Sequence, residues 1–410
     1  MPSDTSFRWL DLGDWRQFEH LHLDLEPRLT IITGANGAGK TTLLSVLGYH
    51  FNWKSTFVSG TASDRRRGRE FSYQDGGELK SRRYRGEVEQ IGQLHYADGT
   101  VSQLLIPASS DPTFAISFEN QQVVPGIFIN SHRTVSGYRA VDAIPAHFSR
   151  PSEHLASFAK EVQSPFSGRA SRKNPRLVIK ESLLAAALYS ETTRAVREDP
   201  FARVVWYGFQ DLLRNLLPQS IGFLGMVAEP PEVIVQTESG EFAFDALSGG
   251  LTSILEIAWQ IYLLSLDRPD VTVCIDEPEN HLHPSLQRTF VPGLLEAFPM
   301  ARFIIATHSP FVVTAAPDAN VVVLERNRSN QVGARRLDFL ADGVSAEQTL
   351  LSVLDVESTL PPWAERRYDS VVERFSRLEP TAANLRALRD ELNSIGLGSE
   401  IASVLGASDE

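Results

Sequence analysis

The sequence predicts an α/β fold in which a mixed sheet with flanking helices is joined by an antiparallel β lobe, a helical insertion and a helical C-terminal tail. Short, uniformly apolar runs such as residues 271–275 are typical of parallel strands that are covered on both faces. Residues 7–33 and 86–125 instead alternate between apolar and polar side chains, as half-buried strands do. Between residues 150 and 220 the apolar positions follow a helical period.

The first alternating segment ends in a glycine-rich turn. The strand pattern stops at Gly34, and a helix opens at Lys40. The turn and the helix start comprise Gly34, Ala35, Asn36, Gly37, Ala38, Gly39, Lys40, Thr41 and Thr42. Their spacing satisfies the phosphate-binding loop pattern, in which backbone N–H groups wrap the phosphates. We expect Lys40 to reach the β- and γ-phosphates and Thr41 to offer its hydroxyl to Mg²⁺. A fortuitous glycine turn is the alternative.

The part that follows this helix, about residues 54–145, is predicted to be an antiparallel β lobe. Residues 97–100, Ala-Asp-Gly-Thr, favour a hairpin turn between two alternating segments. We therefore expect a second sheet beside the first one.

A helical insertion is predicted over about residues 150–220. It contains helical runs at 177–198 and 201–217, and neither keeps a heptad pattern long enough for a coiled coil. We assign residues 1–336 to one split head domain. Residues 337–410, which are helical and acidic, form the C-terminal tail.

Two carboxylates follow the buried run that ends at residue 275. The runs at 303–306 and 321–324 predict parallel neighbours, so Asp276 and Glu277 should lie at the carboxyl edge of the sheet. There Asp276 can hold Mg²⁺ through water, and Glu277 can orient and deprotonate the attacking water of a phosphoryl transfer. Many buried strands end in acids that only cap the next helix. The catalytic interpretation of this pair therefore depends on the phosphate loop that precedes it in the sequence.

A serine and two glycines stand at the start of an apolar helical run. Ser248, Gly249 and Gly250 precede residues 254–266. A Ser-Gly-Gly helix start presents a hydroxyl and free backbone N–H groups, which makes it a second anion site. An ordinary helix N-cap is the alternative.

A histidine follows the buried run at residues 303–306. His308 would lie at a strand's carboxyl edge, where it could contact a γ-phosphate. A lone histidine is more often a structural residue, so this prediction depends on the other three motifs.

The order of the four motifs along the chain resembles the ATP-binding-cassette (ABC) class of ATPases. The motifs are Gly-x-Asn-Gly-x-Gly-Lys-Thr at 34–41, Leu-Ser-Gly-Gly at 247–250, Asp-Glu-Pro-Glu-Asn-His-Leu-His-Pro at 276–284 and Thr-His-Ser-Pro at 307–310. They are similar to those of the soluble branch, which includes RecF, the chromosome-maintenance ATPases and the overcoming-lysogenization-defect (OLD) family. The resemblance covers the chain to about residue 325.

This resemblance implies a P-loop NTPase of the ABC head type, in which two heads hold ATP and Mg²⁺ between them. The signature residues Ser248 to Gly250 of one head would face the nucleotide on Lys40 of the other. Glu277 would be the general base and His308 the γ-phosphate sensor. Hydrolysis would therefore require a homodimer or a higher homo-oligomer.

Two details depart from the class or allow another interpretation. The glutamine loop of the class has no assignable counterpart, because no glutamine closely follows residues 131–133, where that loop would begin; Gln93 and Gln103 are weak candidates. His281 and His283 permit a metal site or a nuclease fragment. Their place directly after the paired carboxylates favours a loop at the dimer contact.

Three uses of such a head are disfavoured. About 205 residues separate Lys40 from the signature, and transporter cassettes are more compact. Chromosome-maintenance proteins need a long coiled coil, which Pro200 and the short helices exclude. OLD nucleases carry metal carboxylates that include an Asp-x-Asp pair, and this sequence contains none.

Composition limits the partners of the chain. Of its 410 residues, 39 are basic and 51 are acidic, so the formal net charge of −12 argues against coating nucleic acid or anionic membrane with the whole surface. The single cysteine, Cys274, excludes an internal disulfide framework. No secretory signal or uninterrupted apolar stretch of roughly 20 residues is present. We expect a cytoplasmic protein without a membrane partner.

The local distribution of charge permits DNA binding despite the negative net charge. Residues 54–85 carry nine basic and four acidic side chains, and residues 150–180 carry seven and two. Residues 337–410 carry six basic and fourteen acidic side chains. The negative net charge of the chain therefore comes largely from the tail, while the head contains basic segments. The candidate DNA contacts are Arg65, Arg66, Arg67, Arg82, Arg83 and Arg85. Solvated loops are the alternative.

The tail from residue 343 to 363 looks like the tails of OLD-like ATPases that are encoded beside a separate effector nuclease in bacterial antiphage systems such as Septu and PARIS. This resemblance implies an ATPase or sensor component that controls a nuclease it does not contain. A RecF-like DNA-binding ATPase of repair or recombination is one alternative. A non-hydrolysing scaffold whose subunits are held together by ATP is another.

Overall fold

The structure, a computed structural model, describes residues 5–64, 68–72, 88–107, 112–133, 137–167, 173–337, 346–354, 358, 360–379, 381–394 and 397. The chain forms two compact units, Met1–Ala346 and Glu347–Glu410. The first unit contains the phosphate loop, the signature, the paired carboxylates and His308.

The described strands belong to one six-stranded sheet and four smaller sheets. They are β1 (Phe7–Leu12), β2 (Leu21–Asp24), β3 (Leu29–Gly34), β4 (Phe57–Val58), β5 (Gly60–Asp64), β6 (Gly68–Ser72), β7 (Val88–Tyr96), β8 (Val101–Pro107), β9 (Thr113–Phe114), β10 (Ser117–Glu119), β11 (Gly126–Ile129), β12 (Phe223–Glu229), β13 (Glu232–Thr237), β14 (Gly240–Ala243), β15 (Thr272–Asp276), β16 (Arg302–Ala306), β17 (Asn320–Arg326) and β18 (Val332–Arg336).

The described helices flank the sheets of the first unit and make up the second unit. They are α1 (Lys40–Gly48), α2 (Pro151–Gln163), α3 (Pro175–Tyr189), α4 (Pro200–Arg203), α5 (Phe209–Leu216), α6 (Gly249–Asp267), α7 (Pro284–Ala297), α8 (Pro310–Val313), α9 (Ala346–Ser352), α10 (Pro362–Ser376) and α11 (Ala382–Ser394).

The six-stranded sheet has the strand order β11-β15-β16-β3-β17-β18 and confirms the predicted α/β class. Its neighbouring strands are parallel except β18, which is antiparallel to β17, so the sheet is mixed. The three uniformly apolar runs that predicted buried strands lie in β15, β16 and β17. Because parallel strands end at one edge, the loops after β3, β11, β15 and β16 meet there.

An antiparallel sheet of order β10-β8-β7-β1-β2 covers the helix that follows the phosphate loop. The predicted turn at residues 97–100 connects β7 to β8 as an antiparallel pair. Buried Leu10 and Leu94 of this sheet pack in one core with Leu43 and Leu47 of α1. Each such side chain stabilises the fold by roughly 1.5–3 kcal/mol, so this core fixes α1 and the loop that opens it.

A three-stranded sheet of order β12-β13-β14 leads into the signature. These strands are not predicted from the sequence, although the buried Val233 and Val235 alternate with partly exposed neighbours along β13. The sheet is followed by a short turn, Phe244–Ala246, and then by α6.

The first helical run of the insertion is shorter than predicted. The predicted helix over residues 177–198 is wrong beyond Tyr189, where α3 ends. Thr192 and Thr193 accept hydrogen bonds from backbone N–H groups up to six residues further on, and such local bonds compete with helix formation.

The second run contains a π-helical segment, Val204–Gly208, between α4 and α5. The Tyr262 hydroxyl donates a hydrogen bond to the Val204 carbonyl at 2.7 Å, and a Cβ on Gly208 would collide with that hydroxyl. Such bulges accommodate an inserted side chain within a helix.

The signature helix α6 crosses the interior of the first unit. Ser248 caps it by accepting a hydrogen bond from the Leu251 N–H. By length and composition α6 could span a membrane, but 67% of that window is buried inside the protein, as in an ordinary core helix. In the second unit, α10 and α11 share a small core formed by Ala364, Val371, Leu388 and Leu392.

Candidate nucleotide-binding and hydrolysis site

The phosphate loop lies between β3 and α1, and backbone geometry explains its glycines. Gly34 and Gly39 have φ angles of 137° and 107°, which side-chain-bearing residues rarely adopt. A Cβ on Gly34 would collide with the Leu324 carbonyl, and one on Gly39 with the Phe18 ring. Arg326 donates a hydrogen bond to the Gly37 carbonyl at 2.9 Å, so the β17–β18 hairpin holds the tip of the loop.

Lys40 closes the loop on itself. Its Nζ donates to the carbonyls of Gly34 at 2.8 Å and Ala35 at 3.2 Å. Burial lowers the pKa of Lys40, and the charges of Glu277, Asp276 and Glu279 oppose that change. Phosphate oxygens are charged acceptors and bind an ammonium more strongly than these carbonyls do. The loop therefore fits a polyphosphate.

Thr41 and Asp276 form the part of the site that suits Mg²⁺. The Thr41 hydroxyl lies 3.2 and 3.0 Å from the two carboxylate oxygens of Asp276. Burial raises the pKa of Asp276 to about 6, while the Thr41 hydrogen bond opposes that change. A hydroxyl beside a buried carboxylate is an oxygen pair of the kind that hard divalent cations prefer.

Glu277 is held in place from two sides. Its Oε2 accepts a hydrogen bond from Asn280 Nδ2 at 2.9 Å, and its Oε1 lies 3.3 Å from His308 Nδ1. Its backbone N–H donates to the Ala306 carbonyl at 2.8 Å with φ at 49°, in the left-handed region. The two residues predicted to act in hydrolysis, Glu277 and His308, are thus direct neighbours.

Glu279 holds the segment Thr307–His308 in place. Its Oε1 accepts hydrogen bonds from the Thr307 hydroxyl at 2.6 Å and from the His308 backbone N–H at 3.1 Å. Glu279 is buried, whereas the His308 side chain is 47% exposed. The histidine can therefore reach a ligand without moving the loop that carries it.

The signature faces outward and rests on the loop after the carboxylates. Ser248 and Gly249 are exposed. A Cβ on Gly250 would lie 2.8 Å from the His281 carbonyl, so glycine permits this close approach. The exposed Ser248 hydroxyl and N–H groups at the start of α6 are free to meet a ligand that another molecule carries.

The two histidines of this loop have different surroundings. His281 is exposed with φ at 70°, whereas His283 caps α7 by accepting a hydrogen bond from the Ser285 N–H at 3.3 Å. The described residues contain no group of three or more histidine, cysteine or acidic side chains that could hold a metal.

The site contains an arginine to which the sequence analysis assigns no role. Arg133 follows β11, and its Nε donates to the Ser253 hydroxyl at 3.2 Å. Its Nη2 donates to the Asp276 carbonyl at 3.5 Å, and its Nη1 to the Asn130 carbonyl. Burial lowers the pKa of Arg133, against the charges of Glu256 and Asp276. The place expected for a glutamine loop is thus occupied by a partly buried cation.

The other candidates do not join this arrangement. Gln93 and Gln103 are paired with each other across β7 and β8, and their neighbours Leu94 and Leu104 point into the core. Their side chains therefore point away from that core. The candidate DNA contacts Arg65, Arg66, Arg67, Arg82, Arg83 and Arg85 lie outside the described residues.

Glu256 gives the site a pH-dependent stability. Burial raises the pKa of Glu256 to about 7 from 4.5, although the charges of Arg176 and Arg133 oppose this. Because the folded protein binds this proton more tightly than the unfolded chain, the free energy of unfolding falls as pH rises from about 4.5 to 7. One pKa unit corresponds to about 1.4 kcal/mol.

We expect Glu256→Gln to gain stability relative to the wild type by up to about 3 kcal/mol over that interval, since glutamine cannot ionise. Urea unfolding of both proteins at several pH values measures the difference. The control is Glu296→Gln, which changes an exposed glutamate. A difference that is independent of pH would contradict the assignment.

Two family models match the chain on either side of the insertion. A model described as "AAA domain" matches residues 10–122, which include the phosphate loop. A model described as "AAA domain, putative AbiEii toxin, Type IV TA system" matches residues 234–314, which include the signature, the carboxylates and His308. Both halves of the candidate site therefore match models of AAA domains.

The chain is similar over different lengths to a Septu protein, a retron protein and an SMC head domain. Septu protein PtuA of Bacillus thuringiensis is 23% identical over 358 residues, which cover 83% of this chain and 82% of that protein. Retron Ec83 probable ATPase of Escherichia coli is 29% identical over 239 residues, or 51% of this chain and 42% of that protein. The SMC head domain from Thermotoga maritima superimposes with a TM-score of 0.45 at 12% identity, over 81% of this chain and 99% of that domain.

Proposed function

We propose that the protein is an ATP-hydrolysing switch whose nucleotide lies between two protomers, and that it is the ATPase component of an antiphage defence system that controls a separate effector nuclease. The observation that carries the proposal is the meeting of Lys40, Thr41, Asp276, Glu277 and His308 at one sheet edge. An exposed Ser248 on the same chain supplies the second half of a shared site.

Different residues at the sheet edge bind the phosphates and the Mg²⁺ ion. The backbone N–H groups between Gly34 and Lys40, with the Lys40 ammonium, bind the phosphates. Thr41 and Asp276 would hold Mg²⁺, which neutralises charge on the phosphate oxygens when bound. A ligand at the loop also releases Lys40 from the loop carbonyls.

Hydrolysis requires a base beside the γ-phosphate. Glu277 accepts a proton from water, the water oxygen bonds to the γ-phosphorus, and the bond from that phosphorus to the bridging oxygen breaks, which leaves ADP and phosphate. Asn280 and His308 fix the two carboxylate oxygens of Glu277. His308 can also donate a hydrogen bond to a γ-phosphate oxygen.

Mixing two inactive variants tests whether the site is shared. Lys40→Ala removes the phosphate lysine, and Ser248→Arg blocks the exposed signature. In a heterodimer of the two, one site combines the intact Lys40 of one chain with the intact Ser248 of the other. We expect each variant alone to be inactive and an equimolar mixture to regain up to about a quarter of wild-type turnover, since half of the dimers then carry one intact site.

The control for this experiment is the stability and nucleotide binding of the monomeric Ser248→Arg variant. Ser248→Arg removes the N-cap of α6, so it should lower the free energy of unfolding by about 1 kcal/mol. Because Ser248 is exposed, the variant should still bind a fluorescent ATP analogue as a monomer. If each variant is inactive alone and the mixture also stays inactive, the shared site is wrong.

The defence role rests on the similarity to PtuA over most of both chains. Native mass spectrometry of the Glu277→Gln protein, purified with ATP from its own cells, tests it. A nuclease in the complex supports the proposal. DNA without another protein favours the RecF-like alternative, and a homo-oligomer alone favours the scaffold.

A further inference from the structure

Arg133 links two parts of the site that lie far apart in the sequence. β11, which precedes it, is parallel to β15 with Ile129 opposite Ile275, so the chain leaves β11 beside the paired carboxylates. Its guanidinium binds the Asp276 carbonyl at one end and the Ser253 hydroxyl at another. Asn280 Nδ2 also donates to the Ser131 carbonyl at 3.1 Å, which fastens the same segment to the loop beyond Glu277.

Ser253 lies on the helix that carries the signature. It is five residues beyond Ser248, or about 7.5 Å along the axis of one continuous helix. Glu256, on the next turn, lines the same small cavity as Arg133. α6 therefore connects Ser248 directly to the groups that contact Arg133.

The signature is also fixed from the insertion. Arg176 Nη1 of α3 donates to the Asp245 carbonyl at 3.4 Å, and Lys180 Nζ lies 2.7 Å from Asp245 Oδ2. Asp245 lies two residues before Leu247, the first residue of the signature. The segment before Ser248 is thus anchored to α3.

We infer that Arg133 is a positioning residue that couples the signature helix to the carboxylate pair. Closure of a second protomer on Ser248 aligns Asp276 and Glu277 through Ser253 and Arg133. This rests on the proposed shared site, and it gives the segment after β11 a role in sensing closure rather than in binding nucleotide.

Two single substitutions each remove one partner of the Arg133–Ser253 hydrogen bond. Arg133→Gln should lower kcat by about 30- to 100-fold, because small misplacements of catalytic groups have effects of this size. The affinity of the monomer for a fluorescent ATP analogue should change by less than about twofold, since no phosphate contact is lost. Ser253→Ala should lower kcat by about three- to tenfold.

The double variant separates coupling from independent structural damage. If both residues act through one link, Arg133→Gln combined with Ser253→Ala is no slower than Arg133→Gln alone. Arg133→Lys should not restore kcat, because one ammonium cannot replace a planar fork with several directed donors. The control on the same helix, Ser265→Ala, should be as active as the wild type.

Additive losses, full activity of Arg133→Lys or wild-type kcat in Arg133→Gln would overturn the inference. If Arg133→Gln does not fold, Ser253→Ala against Ser265→Ala still decides the matter, because equal activity of the two contradicts the link. Failure of the proposed function is distinguishable, since the wild type itself would then show no dimer-dependent turnover.

Discussion

Glu277→Gln should bind ATP and form ATP-dependent dimers while its turnover falls by about 100- to 10,000-fold, the range expected for loss of a general base. An amide cannot take the proton of water at neutral pH. It has the same shape as the carboxylate, so it can still accept from Asn280 and remain beside His308, which contact Glu277 at 2.9 and 3.3 Å. Phosphate release and light scattering with and without ATP measure the two effects.

The control for this variant is Glu296→Gln, which makes the same chemical change on the exposed face of α7. It should retain turnover within about twofold, as surface substitutions usually do. Wild-type turnover in Glu277→Gln would remove Glu277 from the reaction. Loss of ATP binding would show instead that its carboxylate supports the fold of the loop.

Lys180→Ala should lower the free energy of unfolding by about 3–5 kcal/mol, the cost of breaking a buried ion pair from one side. The Lys180 side chain is 0% exposed, and its Nζ lies 2.7 Å from both Glu232 Oε2 and Asp245 Oδ2. It also donates to the Arg139 carbonyl. Without the ammonium, two carboxylates remain close together and poorly hydrated. Urea unfolding measures the loss, which is large against a typical total of 5–15 kcal/mol.

A second lysine of the same helix region is the matched control. Lys173 pairs with Glu181 at 2.6 Å, but its side chain is 50% exposed. Lys173→Ala should therefore cost less than about 1 kcal/mol, because water reaches the half-exposed ammonium and can take its place beside Glu181, whose side chain is 17% exposed. Equal losses for the two variants would contradict a network at Lys180 whose effect depends on burial.

Local sequence patterns were sufficient to predict that the motifs meet at one edge of the sheet. The glycine spacing of residues 34–41 and the apolar runs before Asp276 and His308 each depend on a few neighbouring residues. A parallel sheet brings the ends of its strands to one edge whatever lies between them. This is why motifs more than 200 residues apart could be expected to meet before any contact was known.

Contacts between distant polar side chains could not be predicted in this way. Arg133 and Glu256 are single charged residues in segments of ordinary composition, and the surroundings of each depend on how β11, α3 and α6 pack. The early end of α3 has a similar origin, because the Thr192 and Thr193 side chains satisfy backbone N–H groups that a longer helix would need. A period of apolar residues contains no information about either effect.

The position of β3 in the central sheet has a consequence for synthesis of the chain. β3 ends at Gly34, but its neighbours β16 and β17 begin at Arg302 and Asn320. At about 5–20 residues per second, a ribosome needs roughly 13 to 54 s to reach the first of those partners. During that time a strand whose six residues are all buried in the folded protein has no native neighbour on either side. The nascent protein therefore passes through a long interval in which this segment is open to chaperones and to aggregation, and a chain released before β16 cannot complete the sheet.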